Sequence, residues 1–330
     1  VKFTIKPTRP YSLNLTLSPS FVSSLYERQN GWWVRTYGKY ATTFKAKQEG
    51  HRVIVEVHRA CDELKHVIET ELGLRQPPFE RKVGELPRGV RRQVKLLAHM
   101  WRGVRISRAP WDWRLLLVAV VLSRRTRYDI WVRYWTRILW HSSPQLTIDP
   151  VQQLREAGLS ISPQVKALAI VLSEAQAQLK DENVKGEELF ELRRRLLSIR
   201  GIGPKLADAF LMAVRRDAAV FPCDTHALRV WRRLGLLSQN QQPPIKQYCL
   251  RYSCDECPAR EVCARFQLQL VFGTLSPWVQ TITYLHGSRV CRSKPRCASC
   301  LLRSKCRWAE MRGERSASDA KSQKSRVSET

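Results

Sequence analysis

Acidic side chains are scarce in this chain: 29 Asp and Glu stand against 57 Lys and Arg, for a net charge of +28. That imbalance says little about fold but favours a polyanionic partner, nucleic acid first. A protein that merely neutralises charge would not need eleven tryptophans or a composition 43% hydrophobic. Long apolar runs are also missing. The longest, Leu115 to Leu122, is eight residues, against the ~20 that span a bilayer; it reads as a buried helix, and no membrane partner is expected. The N-terminus lacks a basic-then-apolar secretory pattern, so the expected location is intracellular, in the cytoplasm or nucleoid and associated with DNA. No repeat of solenoid period is present.

What is there divides by pattern. The 330 residues are enough for two or three domains. Up to about His58 the chain runs in short alternating bursts, Phe3-Thr4-Ile5, Leu13 to Leu17, Trp32 to Arg35 and Arg52 to Val57, separated by Pro, Ser, Asn and Gly. Period-two bursts of this kind predict a twisted antiparallel sheet, with Trp32 and Trp33 as packing residues. Helical spacing follows over Ala60 to Leu74, Leu115 to Leu122, Tyr128 to Trp140, from Asp149-Pro150, and over Pro163 to Leu179, Glu187 to Ile199 and Thr225 to Leu234. After about Gly313 the chain is rich in Ser, Lys and Arg without apolar periodicity and is expected to be disordered.

The most informative stretch is Ile199-Arg200-Gly201-Ile202-Gly203-Pro204-Lys205-Leu206-Ala207-Asp208. One helix ends, a glycine turn follows, and Pro204 suits the first turn of the next helix. Leu206, Phe210, Leu211 and Val214 share its apolar face, with Lys205 and Asp208 off it. A glycine turn opening a helix presents N–H groups and a positive dipole end to phosphate. It is not a dinucleotide turn, because an arginine-rich helix precedes it and Leu206 fills the third small-residue position. The Arg193-Arg194-Arg195 run reads as a wet basic face close to the phosphate seat.

Nineteen residues beyond Lys205 comes Asp224, within Cys223-Asp224-Thr225-His226. A turn lysine followed at this distance by Asp-Thr-His resembles the helix-hairpin-helix DNA glycosylase superfamily, the endonuclease III and 8-oxoguanine glycosylase group. The resemblance implies that Lys205 is the Schiff-base lysine and Asp224 the essential aspartate. It implies that Gly201, Ile202 and Gly203 hold a phosphate by main-chain N–H groups. His226 would touch phosphate or simply settle the helix start. The apolar helix ending at Ser123-Arg124-Arg125-Thr126 resembles the segment that fills the gap left by a flipped base; Arg125 stands where relatives often carry glutamine, and a solvated helix end is the alternative. The Lys205 to Asp208 run and the sheet look most like the 8-oxoguanine branch; endonuclease III lacks such a sheet.

Ten cysteines in a chain expected inside the cell point to metal before disulfides. Cys291, Cys297, Cys300 and Cys306, spaced C-x5-C-x2-C-x5-C behind His286-Gly287, resemble the [4Fe-4S] loop of endonuclease III, whose first interval is usually one residue longer. Four thiolates also suit zinc. Cys249, Cys254, Cys257 and Cys263 form a second quartet, C-x4-C-x2-C-x5-C, to which the resemblance assigns nothing. A second [4Fe-4S] cluster is the favoured reading, zinc and then a disulfide loop the alternatives, with one mixed site also open. Cys61 and Cys223 read as small buried residues.

The expected fold is mainly α with an N-terminal α+β domain: an antiparallel sheet domain, a helix-hairpin-helix glycosylase helical core and a cysteine-rich metal-cluster region. The divisions are 1–95, 96–222, 223–310 and a tail 311–330. The expected function is that of a monomeric base-excision glycosylase and AP lyase acting on double-stranded DNA that carries a damaged, oxidised base or an abasic site. Lys205, kept partly neutral by burial and nearby arginine charge, would attack the sugar and Asp224 would stabilise the cation. A monofunctional glycosylase, a non-enzymatic helix-hairpin-helix DNA-binding protein and an RNA-binding protein are the alternatives.

Overall fold

The computed structural model describes residues 1–142, 150–159 and 162–311. Five short strands, β1 (Lys2–Ile5), β2 (Tyr26–Gln29), β3 (Trp32–Arg35), β4 (Phe44–Glu49) and β5 (Arg52–Val57), pair antiparallel in the order β1-β5-β4-β3-β2. The sheet is therefore a meander whose first strand returns to the far edge, placing Phe3 opposite Val55. Alternation sets its faces: Val53, Val55 and Val57 point inward, and Arg52, Ile54 and Glu56 point away from the core. Trp33 is buried, as read, while Trp32 lies under Lys45 and Lys47 on the outer side.

Leu13 to Leu17 is not a strand. It forms a one-turn helix, α1 (Leu13–Leu17), because the Ser12 hydroxyl accepts from Leu15 N and caps it, and Leu13, Thr16 and Leu17 then face inward together. Alternating leucines mimicked a strand whose turn was set by the residue before them.

The helical body comprises α2 (Asp62–Glu71), α3 (Arg88–Met100), α4 (Trp113–Leu122), α5 (Arg133–Ser142), α6 (Pro150–Glu156), α7 (Pro163–Gln178), α8 (Asp181–Gly186), α9 (Leu189–Ser198), α10 (Pro204–Val214), α11 (Thr225–Arg233), α12 (Lys246–Arg251), α13 (Ala264–Phe272), α14 (Ser276–Arg289) and α15 (Arg307–Met311). Every residue of Leu115 to Leu122 is buried, so α4 is the central post. The expected helix over Tyr128 to Trp140 is interrupted: a π turn, Tyr128–Val132, precedes α5. Asp149 and the Ser-rich tail after Gly313 lie outside the described residues.

Two cores meet at the hairpin. One joins the sheet to α2, α4, α5, α7, α9 and α10; the other gathers α3, α11, α13, α14 and the last cysteine loop, and Met212 packs against both. The sheet is held to the helices by buried Arg35, which donates to Glu71 at 2.9 and 3.0 Å and to Asp112. Tyr26 and Trp111 donate to the same Glu71, and Lys39 N donates to Asp112 at 2.7 Å.

Candidate functional site

The turn between α9 and α10 takes the form the glycines predicted, with a division of labour. Gly201 has φ +86°, and a Cβ there would sit 2.9 Å from Val171 Cγ2, so no other residue fits without strain. Gly203 caps α10 in extended conformation with open space around it, which leaves the approach to the backbone bare. Ile202 is buried, and its N–H closes the turn onto Ile199 O at 3.2 Å. That N–H is therefore spent inside the turn. Arg124 reaches Gly201 O at 3.4 Å and stands at the same mouth.

Lys205 projects from the first turn of α10. Its Nζ donates to Ser123 Oγ, 3.2 Å away at the end of α4, and lies 5.9 Å from the ring centre of Phe21. Phe21 in turn meets Tyr128 edge-on at 5.1 Å. Burial pushes the Lys205 ammonium below the usual lysine range, and the Asp224 carboxylate partly opposes that shift. Arginine has no part in it. Asp224 opens α11, accepting from Ala227 N at 2.7 Å, so its carboxylate is both helix cap and counter-charge to the lysine. Lys205 in the first turn of α10 and Asp224 at the cap of α11 thus stand at the openings of two helices that belong to different cores. Ser123, Phe21 and Tyr128 went unread in the sequence because nothing local relates them to residue 205.

Arg125, the expected gap-filling residue, is exposed with φ +47°, a backbone state uncommon for a side chain of its size. His226 faces away from open solvent on one side: Tyr284 packs its ring edge-on at 5.2 Å, and its Nδ1 lies 2.9 Å from Arg229 Nη2. Gly287 makes room for it, since a Cβ there would meet His226 Cβ at 2.7 Å. Of the three arginines read as a wet face, Arg193 is buried. It donates to Asp208 at 2.7 Å, and Arg265 donates to the same carboxylate at 2.5 and 3.2 Å. Asp208, read as lying off the apolar face, is itself fully buried.

Cys291, Cys297, Cys300 and Cys306 line one cavity together with His286, Val290, Pro295 and Leu302. Arg233 Nη1 donates to Cys291 Sγ at 3.3 Å. Burial lowers His286 to about 4, so its ring is neutral beside Cys300 Sγ, 3.7 Å away. In the second quartet, Arg265 Nη1 donates to Cys254 Sγ at 3.1 Å, and Arg193 Nη2 lies 3.9 Å from Cys249 Sγ. Among the described residues no three His, Cys, Asp or Glu side chains converge on one point suited to a single ion, and no cysteines are bridged. Cys223 is buried as expected; Cys61 is exposed, and its sulfur caps α2 by accepting from Leu64 N at 3.4 Å.

No family model matches the chain. Over 163 residues it is 30% identical to endonuclease III of Sulfolobus acidocaldarius, a match covering 48% of this chain and 61% of that protein. Among solved structures, it resembles MBOgg1 in complex with a low-affinity DNA ligand, with a TM-score of 0.67 and 17% identity over 87% of this chain and 95% of that one. The 8-oxoguanine glycosylase/lyase of Clostridium acetobutylicum gives 0.61 at 15% identity, over 87% and 97%. The 3-methyladenine DNA glycosylase of Archaeoglobus fulgidus gives 0.60 at 17%, over 87% and 99%. The chain shares the fold of these three structures, and its antiparallel sheet stands in front of the helical body as the alternating bursts before His58 led one to expect.

Proposed function

We propose that this chain is a base-excision DNA glycosylase with AP-lyase activity, acting as a monomer on double-stranded DNA with an oxidised base or an abasic site. The observation that carries the reading is the pairing at the hairpin mouth: a desolvated Lys205 amine with Asp224 as its counter-charge. The target nucleotide leaves the stack, and the basic surface offsets part of that cost. The neutral Lys205 amine attacks the sugar C1′; an N–C1′ bond forms as the bond to the base breaks, and the base departs with the bonding pair and takes up a proton. Asp224 stabilises the cationic sugar. Loss of an amine proton and opening of the C1′–O4′ bond, with a proton taken up at O4′, give a Schiff base that acidifies the neighbouring sugar carbon, and β-elimination then expels the 3′ phosphate. Gly201 and Gly203 hold a backbone phosphate at the opening of α10, with Arg124 beside them, while Arg125 fills or flanks the gap and His226 orders the start of α11. The four-part division of the chain, at residues 95, 222 and 310, belongs to the same reading.

The Cys291, Cys297, Cys300 and Cys306 loop fits a [4Fe-4S] cluster. Its thiols surround a cavity rather than converge, which suits a group several atoms across better than one ion, and Arg233 supplies an N–H to a sulfur. When bound, such a cluster braces the loop bearing Arg292, Lys294 and Arg296 toward the phosphate backbone.

Borohydride reduction on abasic-site DNA tests the lysine. Wild type is expected to form a stable cross-link, and Lys205→Gln to lose it while still binding DNA. Asp224→Asn should slow base release by about 10²–10³-fold. Trapping unchanged in Lys205→Gln would remove that residue from the nucleophile role. Base release without any trapping in wild type would favour the monofunctional reading, and no turnover across a lesion panel the non-enzymatic one.

A further inference from the structure

The second cysteine quartet sits where the fold has an unanswered positive charge. Two guanidiniums, Arg193 from α9 and Arg265 from α13, share one carboxylate, Asp208 of α10, and all three are buried. Among the described residues neither arginine has a second carboxylate partner. The other buried guanidinium knot has the reverse stoichiometry: Arg35 meets two carboxylates, and the surplus negative charge is answered by donors from Tyr26, Trp111 and Lys39 N. Around Asp208 the surplus is positive. What faces it is sulfur, Cys254 Sγ at 3.1 Å from Arg265 and Cys249 Sγ at 3.9 Å from Arg193. Neutral thiols answer a buried cation poorly, because a desolvated charge needs a counter-charge.

The backbone adds an independent observation. In the loop already assigned, Arg303 N donates to Cys300 O at 3.1 Å and Cys306 N to Arg303 O at 3.3 Å, around the short turn Arg303–Lys305. In the second quartet Arg260 N donates to Cys257 O at 3.1 Å and Cys263 N to Arg260 O at 3.2 Å, around Arg260–Val262. The last cysteines match in backbone too, φ −86° and ψ 107° for Cys263 against φ −99° and ψ 114° for Cys306. Both loops also aim an arginine N–H at their first or second sulfur, Arg233 at Cys291 and Arg265 at Cys254. The closing C-x5-C segment of one loop repeats the backbone of the other.

We propose that Cys249, Cys254, Cys257 and Cys263 form a second metal centre, four thiolates around an iron–sulfur cluster, whose negative charge neutralises the Arg193–Asp208–Arg265 triad. An iron–sulfur cluster with four thiolates carries a net charge of roughly −2, enough to answer the buried surplus. The centre clamps the hairpin from outside. Arg193 binds it to α9 and Arg265 binds it through Asp208 to α10, while Lys246, at the head of α12, donates to Ile199 O at 2.9 Å and closes the end of α9. Asp208 is one turn beyond Lys205, so the metal fixes the helix on which the lysine stands. This does not rest on the repair reading, since metal can be counted in a chain with no activity.

The test is a count of iron, zinc and acid-labile sulfide in the full chain purified without oxygen, for wild type, Cys254→Ser/Cys257→Ser and Cys297→Ser/Cys300→Ser. Wild type is expected to hold the metal of two centres. Each double variant should lose one centre's metal and keep the other's, and chelation should lower the unfolding temperature of wild type more than that of Cys254→Ser/Cys257→Ser. If a double variant fails to fold, the wild-type count still decides. About four irons in place of about eight, with or without zinc, or Cys249, Cys254, Cys257 and Cys263 recovered as disulfides by mass mapping of that protein, would overturn the proposal.

Discussion

At the scale of single residues, the proposed chemistry depends on Lys205 being neutral at a pH where a solvated lysine is charged. Burial disfavours its ammonium and Asp224 favours it, and the net direction is downward. Cross-linking to abasic DNA should therefore rise with pH through a midpoint below the ~10.4 of an ordinary lysine. Replacing Asp224 with Asn should move the midpoint lower still, since it removes the charge that holds the proton. A pH series of borohydride trapping in the two proteins measures both; a midpoint that rises in Asp224→Asn contradicts the assignment. Phe21 lies against the same amine and is the nearest aromatic face contributed by the segment before the sheet's second strand. Base–aromatic stacking is worth about 1–3 kcal/mol, so Phe21→Ala should slow excision of a damaged base roughly 10-fold or more while cleavage of a preformed abasic site changes little. Equal losses on both substrates would make Phe21 a support for Lys205 instead of a surface for the base.

At the scale of elements, the hairpin is stabilised from beneath by Asp208. Burial would raise its carboxyl pKa, but Arg193 and Arg265 outweigh burial and hold it below the usual range. A carboxylate depressed in this way contributes stability above its unfolded pKa of ~3.9; that contribution is lost as pH falls through the folded value. Asp208→Asn should cost about 3–5 kcal/mol, because it strands two buried guanidiniums, and denaturant titration at neutral pH would detect it. A loss within 0.5 kcal/mol would mean that the triad is not buried as described. The hairpin itself was legible in the sequence, since Gly201, Pro204 and the spacing of Leu206, Phe210 and Leu211 are local signals. Asp208 was not. Its partners lie 15 and 57 residues away, and a polar residue off an apolar stripe reads as solvated unless those partners are known. Strands β2 and β4 were missed for a related reason: Tyr26-Glu27-Arg28-Gln29 and Phe44-Lys45-Ala46-Lys47-Gln48-Glu49 carry few apolar residues, and their pairing is imposed by β3 and β5.

At the scale of the whole molecule, charge is the dominant quantity. A net +28 with exposed arginines around the hairpin mouth means that affinity for DNA should fall steeply with salt. If six to ten phosphates are contacted, the fall between 50 and 200 mM salt is about 10³–10⁵-fold. Arg125→Ala, at an exposed position beside the mouth, should reduce the slope by about one phosphate if it binds the backbone, and leave the slope intact if it fills the gap left by a flipped base. Equilibrium binding across a salt series distinguishes the two. No helix among the described residues is long and apolar enough to cross a membrane.

The knot around Arg35 bears, finally, on modularity. The sheet looks like a detachable prefix, five strands completed before the first long helix, and a shorter chain beginning near α2 would still contain the hairpin, Asp224 and both cysteine loops. Such a chain would retain Glu71 and Asp112 in the heart of the helical body and lose the guanidinium that both of them face. The two acids belong to helical segments, and their counter-ion belongs to β3. Prefix and body are therefore not independent parts: this body freed of its sheet would keep two buried carboxylates without the guanidinium that answers them.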